Sequence, residues 1–318
     1  MNDLISVLMP VYNVAPYVSE AIESILAQTY ENFEFVIIDD CSSDETFSIC
    51  KKYAEKDKRI VLLSNDKNLK IEGSLNRGLK YCHGKYVVRM DGDDISAPDR
   101  FEVMKKYLEN HKDIALVGSS ITKIDLSGKE FGTKLYPGNW EIILKTCALQ
   151  TPVLHIWMTY KSVYDDLKGY RVFFGSEDYD FLLRVISKGL KVSNIENYFG
   201  YKQRLSRSGN SSSNYGVRKI KSRSYVVNLY RQRIENGSDN YSYERLCKIV
   251  KSSRLSESFF NISSYFLGKC LKAYSEHKFF KACFALFISL ISPFQWTYFL
   301  ERISYRICLH SLQKRNVL

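Results

Sequence analysis

Apolar residues fall along roughly the first 120 positions in two alternating patterns. Short buried-type runs rich in β-branched and aromatic residues read as strands: Ile5 to Asn13, Phe35 to Ile38, Ile60 to Leu63, Tyr86 to Met90 and Ile114 to Val117. Between them, apolar positions recur at helical spacing. Val18, Ile22, Ile25 and Leu26 share one face of Ala15 to Gln28, and helices are also predicted for Asp44 to Tyr53, Glu72 to Cys82 and Pro98 to His111. Alternating units of this size predict a parallel sheet with helices on both faces.

Further along, Ile121 to Leu135 alternates around Asp125-Leu126-Ser127-Gly128-Lys129 and predicts a hairpin, and Asn139 to Leu149 a short helix. Gly175-Ser176-Glu177-Asp178-Tyr179-Asp180 opens another helix, whose Phe181, Leu182 and Val185 point inward. Beyond Tyr201 the style changes. Arg204, Arg207, Arg218, Lys219, Lys221 and Arg223 flank a Ser/Asn-rich stretch, Ser206 to Asn214, that reads as a mobile loop before a helical remainder. In Phe279 to Leu300, Lys281 and Ser292-Pro293 leave an apolar run of about ten residues, short of the roughly 20 that cross a bilayer. Such aromatic helices flanked by Lys and Arg suit the bilayer interface. The alternative is a helical subdomain whose aromatics form core.

Composition sharpens this division. The chain has 318 residues, 45% hydrophobic and 25% charged, enough for one large core or two smaller ones. Its net charge of +11 is unevenly placed: residues up to Phe199 sum to −4, and those from Gly200 onward to +15. The eight cysteines form no CxxC pair and do not cluster with His, which argues against a zinc site and fits a reducing compartment. Met1-Asn2-Asp3 does not open a signal peptide. No GxGxxG follows the first strand and no Walker loop occurs, which disfavours a dinucleotide-binding domain or a P-loop NTPase.

Candidate chemistry sits where the strands end. The first closes on Asn13, the second on Asp39-Asp40, and the fourth on Asp91-Gly92-Asp93-Asp94. Parallel strands align such ends on one sheet edge, where ligands bind in open α/β sheets. Three carboxylates around one glycine repel one another unless a cation sits among them. Hard oxygen donors suit Mg²⁺ or Mn²⁺ carrying a phosphate-bearing substrate. A solvated Asp-Gly turn explains the last end alone, but not the second acidic end beside it. For Glu177, Asp178 and Asp180, the helix dipole already favours acids in a first turn. Three acids in four residues beside Phe173, Phe174 and Tyr179 point further, to a pocket wall supplying a general base.

These pieces together resemble the inverting glycosyltransferases of family 2, of the type that builds bacterial surface polysaccharides such as O-antigen or capsule. Four segments carry the resemblance: SVLMPVYNVAPYVSEAIESILAQTYENFEFVIIDDCSSDET, GSLNRGLKYCHGKYVVRMDGDDISAPDRFE, TPVLHIWMTYKSVYDDLKGYR and GSEDYDFLLR. The resemblance implies a GT-A α/β fold, a mostly parallel central sheet flanked by helices, in residues 1–210. A basic, aromatic-rich helical region would occupy 211–318. Carried over by position, Pro10, Tyr12 and Asn13 would line the nucleotide pocket, and Asp39 or Asp40 would bond the uracil or ribose. Asp91-Gly92-Asp93 matches the family's DxD motif, with Asp93 as metal ligand and Asp91 facing ribose or metal-bound water. Arg77 lies where a basic residue often stands near the diphosphate. Asp178 aligns with the catalytic base, and Glu177 would bind the acceptor or orient the base.

The implied reaction is a single displacement that moves a sugar from a UDP-sugar to a hydroxyl of a glycan, lipid-linked on the reading of the tail, with Mn²⁺ or Mg²⁺ as cofactor. The implied place is the cytoplasmic face of the inner membrane, as a peripheral protein. Many relatives carry Tyr-Arg-x-His after the final strand; here Tyr201-Lys202-Gln203-Arg204 lacks the His, leaving Lys202 or Arg204 to act by charge. His155 either contacts the acceptor or is a satisfied strand-end histidine. A sugar nucleotidylyltransferase of related fold would need a Gly-rich basic loop after the first strand, which Val11 to Pro16 is not. The basic tail alone would suit nucleic acid, but its aromatics fall at helical spacing with aliphatics and form no stacking platform, so no nucleic-acid partner is expected.

Overall fold

The computed structural model of the protein describes residues 3–205 and 216–315; the Ser206 to Asn214 stretch, expected as a mobile loop, lies outside the described residues. Two compact units emerge. The first comprises Met1–Leu144, Thr151–Val172 and Glu177–Ser213. The elements before residue 205 begin with β1 (Ile5–Val11), α1 (Ala15–Leu26), β2 (Phe33–Asp39), α2 (Thr46–Ala54), β3 (Ile60–Ser64) and α3 (Lys70–Leu79). There follow β4 (Tyr86–Arg89), β5 (Ile95–Ser96), α4 (Arg100–Asn110), β6 (Ile114–Ile124) and β7 (Glu130–Lys134). The series closes with α5 (Trp140–Thr146), β8 (Met158–Tyr160), α6 (Lys161–Asp166), α7 (Glu177–Ser187) and β9 (Lys191–Arg204).

The sheet runs β3-β2-β1-β4-β8-β6-β9-β5, with β7 attached to β6. Its site-bearing half, β3-β2-β1-β4, is parallel throughout, as is the β6–β9 ladder. The short β8 runs antiparallel between β4 and β6. Both faces of β1 are covered, which is why it is buried throughout and mostly apolar rather than alternating. Val7 and Met9 pack in one cluster with Val18, Ile22 and Ile25 of α1 and with Phe101 and Met104 of α4. Leu8 faces the opposite way, onto α3. There Gly78 permits close approach, since a Cβ would fall 2.4 Å from Leu8 Cδ1 and 2.5 Å from Ile38 Cδ1.

Two differences from the sequence pattern have local causes. The strand expected at Ile114 to Val117 continues to Ile124, because its second half pairs with β7 and with β9. Residues 201–204, expected after the last strand, lie inside β9, where Lys202 and Arg204 pair with Thr122 and Ile124. The buried Tyr201 ring packs under the Arg100 guanidinium, 4.9 Å away, which favours extension over a turn.

The second unit gathers Lys145–Gln150, Phe173–Ser176 and Asn214–Leu318. Its helices are α8 (Val217–Asn236), α9 (Tyr243–Ile249), α10 (Arg254–Ser275), α11 (Phe279–Ser289) and α12 (Pro293–Arg315). Val217 and Ile220 of α8 form a small core with Phe260 of α10, against which Phe294 packs. Phe173 packs against Tyr241 with ring centres 5.3 Å apart, and Arg223 donates to the Leu149 carbonyl at 2.8 Å. Gly237 stops α8 in the left-handed region, at φ 74°. Ser242 and Ser253 cap the next two helices by accepting from the N–H groups of Arg245 and Ser256. Among the described residues no single helix is long and apolar enough to cross a membrane; α11 and Pro293–Leu312 of α12 reach that length and composition together, bent by 113°.

Candidate active site

The parallel register brings the acidic strand ends to one edge. Val11 stands opposite Asp39, and Leu8 opposite Arg89, so the chain leaves β2, β1 and β4 on the same side. The β1–β4 ladder stops early for a chemical reason. Met90 N donates to Leu8 O, and the next bond of a parallel ladder would come from the N–H of position 10, which is proline. The released chain turns through Asp91-Gly92-Asp93. Gly92 passes so near β1 that a Cβ would lie 2.6 Å from Val11 Cγ1. Asp40 N donates to the Val11 carbonyl at 2.9 Å, so Asp40 and Gly92 touch the same residue.

Asp91 is the hub of a partly buried charge cluster. His155, in the loop before β8, places Nε2 2.6 Å from Asp91 Oδ2 and Nδ1 3.4 Å from Asp178 Oδ2. One imidazole thus spans the gap between the strand-end acid and the acid that opens α7. Arg89, at the end of β4, lies 3.6 Å from Asp91 Oδ1 and 3.7 Å from Glu177 Oε1. Its Nε and Nη1 are buried and make no hydrogen bond within the protein.

Electrostatics follow from this arrangement. Burial opposes charge on His155, but the charge of Asp91 and the hydrogen bonds to Asp178 and Asp91 together outweigh it and raise the imidazole to about 9. Burial likewise opposes ionisation of Asp91, and His155 with Arg89 reverses that and holds it below the usual carboxylate range. Glu177 goes the other way: burial and the adjacent Asp178 push it up to about 7. Two carboxyls one residue apart therefore differ in surroundings, Glu177 being 5% exposed and Asp178 facing the histidine. Asp180, the third acid of the trio, serves structure. It is fully buried, accepts from Arg184 Nε at 2.8 Å, and Arg184 in turn donates to the carbonyls of Leu167 and Gly169.

At the β1–β2 end the residues divide by task. Asn13 adopts φ 50°, and its Oδ1 accepts from Ser43 N at 2.8 Å, tying the two strand-end loops together. Tyr12 is about half exposed beside it, and Pro10 is buried within β1. Asp39 Oδ2 accepts from Ser42 N, while its Oδ1 is buried with no partner in the protein. Asp40 Oδ1 is committed to Asn65 Nδ2 and Leu69 N, both at 2.7 Å. Arg77 reaches the same corner through α3, where its Nη1 donates to Ser64 O and Asn65 Oδ1. An orphaned acceptor at Asp39 suits a ligand N–H or hydroxyl, because leaving it unmet costs roughly 1–3 kcal/mol.

The turn offers hard oxygen donors of the kind a divalent cation takes. Among the described residues no three His, Cys, Asp or Glu side chains form a ready-made cage. Asp91 is taken by His155 and Arg89, and Asp94 Oδ1 accepts from Arg204 N at 2.7 Å. Asp93 lies in the same turn, 8% exposed, and is a further hard oxygen donor there. A small cation that keeps waters and substrate phosphates needs one or two carboxylates. Excess negative charge is present to receive it: burial, then Asp93 and Asp91, push the Asp94 carboxyl well above its ordinary value.

The substitutes considered for the missing histidine are occupied elsewhere. Arg204 is 2% exposed and donates to the carbonyls of Asp93, Asp125 and Leu126 and to Glu20. It locks the acidic turn to β9 and α1. Lys202 pairs with Glu130 at 2.8 Å on the surface. Arg89 was not singled out from sequence. Its only signal there is a cation inside the apolar run Tyr86-Val87-Val88-Arg89-Met90, where a charge is costly unless paired.

Comparison with known proteins identifies the family and the fold. The model of the family "Glycosyl transferase family 2" matches residues 6–187. The O-antigen biosynthesis glycosyltransferase WbnJ of Escherichia coli is 33% identical over 190 residues, 58% of this chain and 73% of WbnJ. Among solved structures, Staphylococcus aureus TarS 1–349 in complex with UDP-GlcNAc superposes with a TM-score of 0.61 at 15% identity, covering 89% of this chain and 90% of TarS 1–349. The mannosyltransferase PcManGT of Pyrobaculum calidifontis, in complex with GDP-Man and Mn²⁺, gives 0.56 at 15% identity, covering 90% and 86%. At that identity the two structures establish the fold, a GT-A-like α/β domain.

Proposed function

Since this chain belongs to glycosyltransferase family 2 and is a glycosyltransferase, we propose that it transfers a sugar from a UDP-sugar to a glycan hydroxyl by one inverting displacement. Asp178 is the base. It takes the proton of the acceptor hydroxyl as that oxygen attacks the anomeric carbon, and the bond to the nucleoside diphosphate breaks with its electron pair leaving on phosphate. An α-linked donor then yields a β-glycoside. The observation that carries this reading is the contact from Asp91 through His155 to Asp178. It keeps the base within one side chain of the strand-end turn where the donor is held.

The other residues of the edge have matching tasks. Asp39 Oδ1 receives the uracil or ribose, with Tyr12, Asn13 and Pro10 bounding that end of the pocket and Asp40 and Arg77 holding its floor through Asn65. Asp91, Gly92 and Asp93 lie along the diphosphate side. When bound at Asp93, Mn²⁺ or Mg²⁺ would neutralise the charge that grows on the departing diphosphate. His155 orients Asp178, and Glu177 positions the acceptor. Complexes of fold neighbours with UDP-GlcNAc and with GDP-Man and Mn²⁺ support a nucleotide-sugar donor and a divalent metal. WbnJ, named for O-antigen biosynthesis, supports a surface-polysaccharide acceptor, and we extend this to a lipid-linked glycan met at the cytoplasmic membrane face.

A panel of UDP-sugars screened with Mn²⁺ for protection against thermal unfolding identifies the donor. With that donor, Asp178→Asn is expected to lower kcat about 10²–10⁴-fold while protection by the donor persists. Retention of anomeric configuration in the product, or release of pyrophosphate in place of UDP, refutes the reading.

A further inference from the structure

The second unit carries a surface that the transfer reaction does not use. α10 and α11 fold back on each other around a groove of about 440 Å³ whose lining includes Phe266, Lys269, Lys272, Phe280, Lys281 and Phe284. On α11, Phe280, Phe284 and Phe287 follow one another at i, i+4 and i+7 and are 89%, 63% and 77% exposed. That spacing puts three uncovered phenyl rings in one stripe. Lone exposed apolar residues are ordinary, but a contiguous stripe marks a contact surface.

Charge says what meets it. Four lysines, Lys269, Lys272, Lys278 and Lys281, line the groove against one acid, Glu276, which pairs with Lys278 at 2.6 Å. From His277 to Leu300 the chain has no Asp or Glu. A soluble polyanion would satisfy the lysines and leave the phenylalanines wet. A protein partner offers no particular reason for cations to rim an apolar stripe without acids. A bilayer surface with acidic headgroups meets both demands at once, rings entering the acyl boundary and ammonium groups staying among phosphates. At 11 residues, α11 is too short to cross and suited to lie in that plane.

We propose that the Phe280–Phe284–Phe287 stripe and the lysines around the α10–α11 groove dock this protein on a membrane of anionic phospholipids. The docking deepens the reading above, because it would bring the enzyme to a lipid-linked acceptor. Membrane binding itself is measured without donor or acceptor.

The full chain is mixed with phosphatidylcholine vesicles, with or without phosphatidylglycerol, and bound protein is separated by flotation. Binding about tenfold or more tighter to the anionic vesicles, weakened by salt, is expected. Replacing Phe280, Phe284 and Phe287 by Ser, or Lys269, Lys272 and Lys281 by Gln, should each abolish most of it while transfer to a soluble glycan acceptor is unchanged. Phe287→Trp supplies a signal that needs no loss of function: its emission should shift to the blue and be quenched by brominated lipid. Equal binding to neutral vesicles, an unshifted Trp, or a dimer that the Phe variants dissociate would each overturn the proposal. Failure of sugar transfer with vesicle binding intact would instead count against the enzymatic reading alone.

Discussion

At the scale of single residues, His155 is the group whose context could not be read from its neighbours in sequence. Two readings stood open for it, acceptor contact or satisfied strand-end histidine, and the choice depended on what lies across the sheet edge. Antiparallel pairing of Val88 with Met158 sets the loop before β8 beside the end of β4, and so sets His155 against Asp91. Arg89 escaped notice for the same reason: its partners Asp91 and Glu177 come together only through the fold. The acidic turn after β4 and the Glu-Asp pair opening α7, by contrast, are visible in the sequence itself, because acids ending strands or opening helices are local signals. The His155 placement has a thermodynamic consequence. Its imidazole titrates near 9 in the folded protein, above the value of about 6.5 for a free side chain. A raised value means stabilisation that is complete below about pH 6.5 and lost as pH climbs through 9. The groups facing it are Asp91, Asp178 and Arg89, and the net effect is on the order of 2 kcal/mol. Urea unfolding at pH 6 and pH 9.5 should show the wild type losing about that much more stability than His155→Gln. Parallel losses in the two proteins would mean that the Asp91–His155–Asp178 contact does not persist in solution.

At the scale of elements, the strands and helices of the parallel half follow the apolar periodicity closely, because burial on both faces writes a continuous signal. What the periodicity did not carry is how α7 is fastened. Asp180 looked like one of three acids on a pocket wall, and its neighbours decide otherwise. It accepts from Arg184 one turn on, and Arg184 grips the carbonyls of Leu167 and Gly169, clamping the first turn of α7 to the loop before it. An i, i+4 acid–base pair reads in sequence as a surface pair, and only burial reveals it as an anchor. Asp180→Ala leaves a buried guanidinium without its partner, which should cost about 3–5 kcal/mol. The double replacement Asp180→Leu with Arg184→Met removes both charges and should recover part of that loss. Thermal unfolding of the three proteins checks this. If the single variant is within about 0.5 kcal/mol of wild type, as surface pairs usually are, the pair is no anchor.

At the scale of the whole molecule, composition marks a change near residue 210, where the net charge turns positive, but it says nothing of which earlier segments belong with the tail. Contacts do. Lys145–Gln150 and Phe173–Ser176 cluster with the C-terminal helices, through Cys147 against Tyr230, the Leu149 carbonyl under Arg223, and Phe173 between Tyr225 and Tyr241. Such segments are short and separated from their partners by long stretches of sequence, so no linear pattern joins them to residues about 50 to 80 positions away. The consequence for dissection is specific. A chain ending at Ser213 keeps the charge cluster and the sheet but strips Cys147, Leu149 and Phe173 of those partners. Phe173 is 1% exposed in the whole chain, and uncovering one such ring costs about 1.5–3 kcal/mol. The truncated chain should therefore unfold at a temperature several degrees lower and self-associate through the newly bared rings. Replacing Phe173 by Ser within the truncated chain should suppress that association, though the same change destabilises the full-length protein. Calorimetry with sedimentation velocity distinguishes the cases: a truncated chain that stays monomeric at the full-length melting temperature would mean the two inserted segments find their cover elsewhere.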